Sequence, residues 1–190
     1  MIDPNILIGF LPWIVFAIVS SFFGLKIGAL IGLALHIAFF IPIARKRTYT
    51  TLEAFSIVFF VVLVIGILVL NEQSIEDLTR WSAALSYGGL AFITWVTIVI
   101  GDPFTRQYAR RTIPKEQWTS ELFLTSTMSI ALGWAVAFLG ATVVSVIGAL
   151  SGFNFLSIHS LAIGCMLLAI LWNKRILDET MAKAKVLSRS

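Results

Sequence analysis

The sequence predicts an all-α, polytopic membrane protein: a six-helix transmembrane bundle, N-in/C-in, with a short amphipathic cytoplasmic helix between the fourth and fifth spans. Three observations carry this. The 190-residue chain is 58% hydrophobic with a mean hydropathy of +0.94, against about 45–50% apolar residues in an ordinary soluble domain. Six long apolar runs divide it, at 6–24, 27–44, 54–70, 82–100, 122–150 and 156–172; a span needs about 20 residues to cross about 30 Å of hydrocarbon. Twelve of the fourteen Lys and Arg residues fall in the connections and tail that six crossings place on one side. Positive charge near span ends is retained in the cytoplasm, so both termini are expected inside.

The first run has no basic segment before it and is long enough to span, so it reads as a retained helix rather than a cleaved leader. It meets the second run at Gly24-Leu25-Lys26, a turn tight enough to force the two helices side by side. Pro12 and Pro42 lie within these runs, and Pro12 is expected to kink the first helix. The third run is rich in Val, Ile and Phe and reads as lipid-facing. The third connection, 71–81, is acidic, with Glu72, Glu76 and Asp77 against Arg80, and Trp81 stands where an interfacial anchor belongs.

The fifth run is the longest at 29 residues; either it tilts strongly or its first turns lie in the interface. Ser129, Gly133, Ala137, Ala141, Ser145 and Ala149 recur along it at every fourth position, and Gly24, Gly28 and Gly32 do the same around the second run. Small residues at that spacing let helix backbones approach closely in lipid, so Gly24, Gly28, Gly32, Gly133, Ala137 and Ala141 are the expected packing positions. The sequence after 172 continues the sixth helix as a cytoplasmic amphipathic tail over 173–190, with Trp172, Ile176, Thr180 or Met181, Ala184 and Leu187 on one side. Glu179 and Lys183 form a favourable i,i+4 pair there.

The longest connection, 101–121, holds the candidate contact residues. Asp102-Pro103 reads as a helix cap followed by a first-turn proline. Asp102, Arg106 and Arg110 then share one face, with Phe104 and Tyr108 as the apolar counterpart. Arg106, Arg110, Arg111, Tyr108 and Trp118 are therefore expected to meet anionic headgroups or a partner at the inner leaflet; otherwise the arginines only fix topology. Inside the runs the ionisable side chains are His36 and His159, functional candidates by their location. A polar path through the bundle would draw on His36, Thr94, Thr97, Ser126 and Ser129. The single cysteine, Cys165, reads as a small buried apolar residue. No metal-ligand spacing, phosphate loop or catalytic carboxylate pair is present, so neither metal, cofactor nor enzymatic activity is expected. The net charge of +4 reads as topology and headgroup attraction, not nucleic-acid binding.

Several ordered features then suggest a family. Phe10-Leu11-Pro12 opens the first span, Arg45-Lys46-Arg47 precedes Thr51-Leu52, and the acidic hairpin closes on Arg80-Trp81. Pro103-Phe104 follows the fourth span, Pro114 precedes Trp118 by four, and Trp134 with Phe138 lies in the fifth. Over about residues 8–175 the chain resembles the intracellular septation protein A family of the bacterial inner membrane, as a divergent or sister member richer in arginine over 102–111. The resemblance implies a multi-pass protein contributing to cell-envelope integrity and to division or septation, without catalytic residues. Its partners would be the bilayer with its anionic headgroups and envelope or division proteins, with a homodimer as a further possibility. The competing expectation is a small transporter or channel for an ion or small solute.

Overall fold

The computed structural model describes the backbone of residues 4–151 and 155–187 and the side chains of 9–151 and 161–186. Among the described residues the chain is all-helical, with seven α-helices, one 3-10 turn and no strand. The helices are α1 Pro4–Phe23, α2 Leu25–Arg45, α3 Thr51–Val69, α4 Glu72–Val99, α5 Phe104–Ala109, α6 Glu121–Ser151 and α7 Phe155–Leu187. Four of them, α2, α3, α4 and α6, are long and apolar enough to cross a membrane, and α1 adds the apolar stretch Gly9–Phe23. The chain thus has the build of a helical membrane protein. Large apolar side chains on the outward faces fit that reading: Val58, Val62, Leu68, Val99, Val136 and Leu168 are all more than half exposed.

The helices pack as two groups. α1 lies along α2 and α2 along α3; α6 lies between α4 and α7; α3 touches α4 more lightly. α5 is wedged at one end of the bundle against α1, α3, α4 and α6. The opposite end carries the α1–α2 turn at Gly24 and the start of α4. The core is aromatic where the groups meet. Phe10 stacks on Trp134 at 5.1 Å, and Phe60 takes edge contacts from Trp13 and Phe16 at 4.9 and 5.1 Å. Such pairs add about 0.5–1.5 kcal/mol beyond area burial.

Local chemistry explains the breaks. Gly24 alone joins α1 to α2, at φ 86° and ψ 161°, a region that only glycine occupies without strain. Asn71 caps α4 by accepting a hydrogen bond from the Ser74 amide at 2.9 Å, so the acidic segment read as an outer loop forms the first turns of a 28-residue helix. Trp81, placed as an interfacial anchor, is half-buried within that helix. Gly101, at φ 83°, turns the chain out of α4.

Three further elements differ from the sequence reading. Helix α3 is not wholly lipid-facing: Leu52, Ser56, Phe60, Leu63 and Ile67 form a buried stripe, because their spacing puts them on the face toward α1 and α2. Gly24 is not a packing position. Nothing lies within 4 Å of a Cβ placed there, whereas one on Gly28 would strike Ser20 and one on Gly32 the ring of Phe60. Among the described residues of the last helix, Glu179 pairs with Arg175 at 2.9 Å instead of with the expected Lys183.

Candidate functional site

The polar side chains gather at the α5 end, and the start of α3 organises them. Thr50 and Glu53 form a capping box: Thr50 Oγ1 accepts from the Glu53 amide at 3.3 Å, and Glu53 Oε2 accepts from the Thr50 amide at 2.8 Å. That reciprocal arrangement satisfies two amides the helix itself leaves free. The next one, of Thr51, donates to Gln107 Oε1 at 2.7 Å, so a residue of α5 completes the cap of α3.

Arg111 finishes the connection. Its guanidinium donates to both carboxylate oxygens of Glu53, at 3.0 and 2.5 Å, and to the Thr48 carbonyl, and it lies 4.7 Å over the Tyr108 ring. The Arg111 and Glu53 side chains are only 14% and 11% exposed. Removing one partner of a two-pronged pair this sheltered costs far more than breaking a surface ion pair, because the other charge is left buried. Tyr108 is fully buried; its hydroxyl sits beside Thr50 and Glu53 without a well-formed hydrogen bond. Burial, with the nearby Glu53 charge, pushes that phenol well above the ordinary tyrosine range.

Arg106 is turned the other way, into α6. It donates to the Gly101 carbonyl at 2.6 Å, the Leu124 carbonyl at 3.2 Å and Thr127 Oγ1 at 3.2 Å. Burial lowers its affinity for the proton below the ordinary arginine value, with Asp102 acting against that. Thr105 Oγ1 donates to the Thr127 carbonyl at 2.6 Å, and the Phe104 amide donates to Thr97 Oγ1 at 3.2 Å. Arg110 pairs with Asp102 at 2.9 Å and lies 5.4 Å from the Trp118 ring centroid. That pair is about one-third exposed and contributes little.

This arrangement corrects the surface-helix reading of 102–113. The helix is six residues long, starts at Phe104 with Pro103 as its cap residue, and Asp102 pairs with Arg110 instead of capping. Arg106 and Arg111 face protein, not headgroups, because carbonyls and a carboxylate from α3, α4 and α6 converge where they point. Glu53 was the residue the sequence reading passed over. Its signal was Thr50-x-x-Glu53 ahead of an apolar run, a capping-box pattern.

The expected intramembrane residues occupy three settings and share no single cavity. His36 is 5% exposed between the Trp13 and Phe60 rings, and its Nδ1 bonds the Gly32 carbonyl at 3.0 Å. Its Nε2 has no partner, and His36 lines a cavity of about 20 Å³ together with Glu53, Gly9 and Pro12. Thr94 and Thr97 are packed against the α5 end, Thr97 donating to the Thr94 carbonyl. Ser129 offers its carbonyl to the Trp172 indole at 2.8 Å on the α6–α7 seam. Ser126 is half-buried and bonds the Phe123 carbonyl within its own helix. The His159 side chain lies outside the described residues.

The small-residue positions are used within the chain. Gly133 and Ala137 line the α6–α7 seam opposite Ala169 and Trp172, Gly140 approaches Cys165, and Ala141 is fully buried. One buried polar group has no apparent role: both amide atoms of Asn173, 1% exposed on α7, lack partners. At the Gly24 end a cavity of about 110 Å³ opens between α1 and α4, lined by Trp13, Ser20, Ser82, Ser86 and Tyr87 among others. Among the described residues no three His, Cys, Asp or Glu side chains converge as metal ligands would.

Fold and site together define a helical membrane protein whose α5 end is closed by an internally bonded plug. No family model, curated protein or solved structure matches the chain.

Proposed function

We propose that the chain crosses the bacterial inner membrane six times with both termini in the cytoplasm, and that it works as a non-enzymatic scaffold contributing to envelope integrity and division or septation. The sorting of twelve of fourteen cations onto one side supports the orientation. The observation that carries the function is the closed α5 end. Its polar side chains are spent on the protein's own carbonyls, carboxylates and amides, which suits a protein acting through its surfaces. The contact surface is then the exposed Arg45, Lys46 and Arg47 and the tail of α7, with anionic headgroups and envelope or division proteins as partners.

The test moves accordingly. Changing Arg106 or Arg111 would report folding, so Arg45, Lys46 and Arg47 are replaced together by Gln. The expected result is unchanged thermal stability with weakened binding to anionic nanodiscs and loss of copurifying envelope proteins. A variant with unaltered lipid binding, partners, cell shape and detergent sensitivity overturns the reading. A second reading, a small-solute transporter, is favoured by the hydroxyl-lined cavity between α1 and α4. Proteoliposomes that move neither ions nor small solutes at neutral or acidic pH would remove it.

A further inference from the structure

The tautomer of His36 is fixed by its surroundings. A backbone carbonyl only accepts, so the Nδ1 that bonds the Gly32 carbonyl at 3.0 Å must carry the hydrogen. Nε2 is therefore the ring's free lone pair, buried and without a partner. His36 lines a cavity of about 20 Å³ together with Glu53; a cavity holds one water once it exceeds about 10–15 Å³.

The charged groups around this point are few. α1 presents Gly9, Pro12 and Trp13, and α2 itself presents Gly32, Phe39 and Phe40; none is ionisable. α3 contributes Glu53 and Phe60, and the α5 segment adds Tyr108 and Arg111 behind Glu53. A proton reaching Nε2 thus creates an imidazolium whose one neighbouring carboxylate is already held by a guanidinium.

We propose that His36 and Glu53 form a proton-binding site, in which a proton on His36 Nε2 draws the Glu53 carboxylate toward it and loosens Arg111, and with it the plug at the α5 end. The step moves one proton from water onto the imidazole and breaks no covalent bond. Its coupling to α5 follows from connectivity. The carboxylate of Glu53, a residue of the cavity wall, already holds Arg111 and the Thr50 amide, so it cannot be shared without weakening one of them. This goes beyond the scaffold reading and does not depend on it: a proton site of this kind can signal acidity to a partner or couple to a solute.

The test is hydrogen exchange of the 104–113 amides in the full-length protein in nanodiscs, corrected for intrinsic rate, between about pH 7.5 and about pH 4, low enough to charge a buried imidazole. Acidification is expected to lower protection roughly tenfold in the wild type, the loosening of one charge-assisted pair. His36→Gln should hold its protection across the range, and Glu53→Gln should be poorly protected at both ends. Equal acid responses in wild type and His36→Gln, or no response in wild type, overturn the proposal. Should His36→Gln fail to fold, nitrogen NMR of labelled histidine in His159→Gln protein decides instead. The proton must then arrive at Nε2 of His36 over the pH interval in which protection is lost, and a ring that stays neutral throughout overturns the site.

Discussion

Gly24 and Gly28 are both glycines in the α1–α2 hairpin, yet they are needed for different reasons. At Gly24 the backbone has φ 86° with open space around the missing Cβ, so Ala costs conformational strain alone, about 1–3 kcal/mol. At Gly28 the helix is regular, but a methyl would press on the Ser20 side chain and amide. There the cost is overpacking, about 1–3 kcal/mol, and it should grow steeply from Ala to Leu, whereas Gly24→Leu, unbranched at Cβ, should differ little from Gly24→Ala. Detergent unfolding midpoints of the four variants check this; parallel series at both sites would refute the distinction. Asn173 makes the opposite prediction. Its buried amide is unpaired on both atoms, and an unsatisfied buried group costs about 1–3 kcal/mol. Asn173→Ala, which removes the amide without overfilling the site, should therefore raise the unfolding midpoint. A fall would mean that the amide serves a contact made outside this chain.

Helix α5 is too short to be stable by itself, since isolated helices shorter than about 12–15 residues are marginal. What holds it is borrowed from other elements: Thr51, Glu53 and Thr48 from the start of α3, Leu124 and Thr127 from α6, Thr97 from α4. The strongest of these ties is Glu53–Arg111, joining positions 58 apart in sequence. Removing either partner leaves the other charged and sheltered, so Glu53→Gln and Arg111→Gln should each destabilise by about 3–5 kcal/mol. The double variant should lose little more than one of them. Additive losses in that cycle would show that the two side chains act separately. The capping-box sequence at Thr50 and Glu53 was visible in the chain; the role of Glu53 was not, because its second partner comes from a distant loop.

At the scale of the molecule, the helices form two groups joined through the aromatic contacts at Phe10 and Trp134 and through α5. The proposed orientation puts α5 on the cytoplasmic side and the Gly24 turn on the other. In a Cys165→Ala background, an impermeant maleimide should label Lys115→Cys only from the cytoplasm and Gln73→Cys only from outside; both sites are exposed. The reverse pattern would overturn the orientation and leave the packing intact. Because Gly28, Gly32, Gly133, Ala137 and Ala141 are engaged within the chain, a homodimer would have to use another face, such as the outward apolar side of α3.

The sequence by itself determined that this is a helical membrane protein, since hydropathy and run length are local properties that lipid reads directly. It also made the close helix approaches legible, because a four-residue repeat of small side chains has one geometric meaning on a helix. Only the tertiary structure decided where the charges of 102–111 go. Arginine on a short amphipathic segment satisfies equally the rule for a membrane-surface helix and the rule for a buried latch. The difference lies in whether carbonyls and a carboxylate from other helices stand within reach, and that is fixed by how α3, α4 and α6 come together.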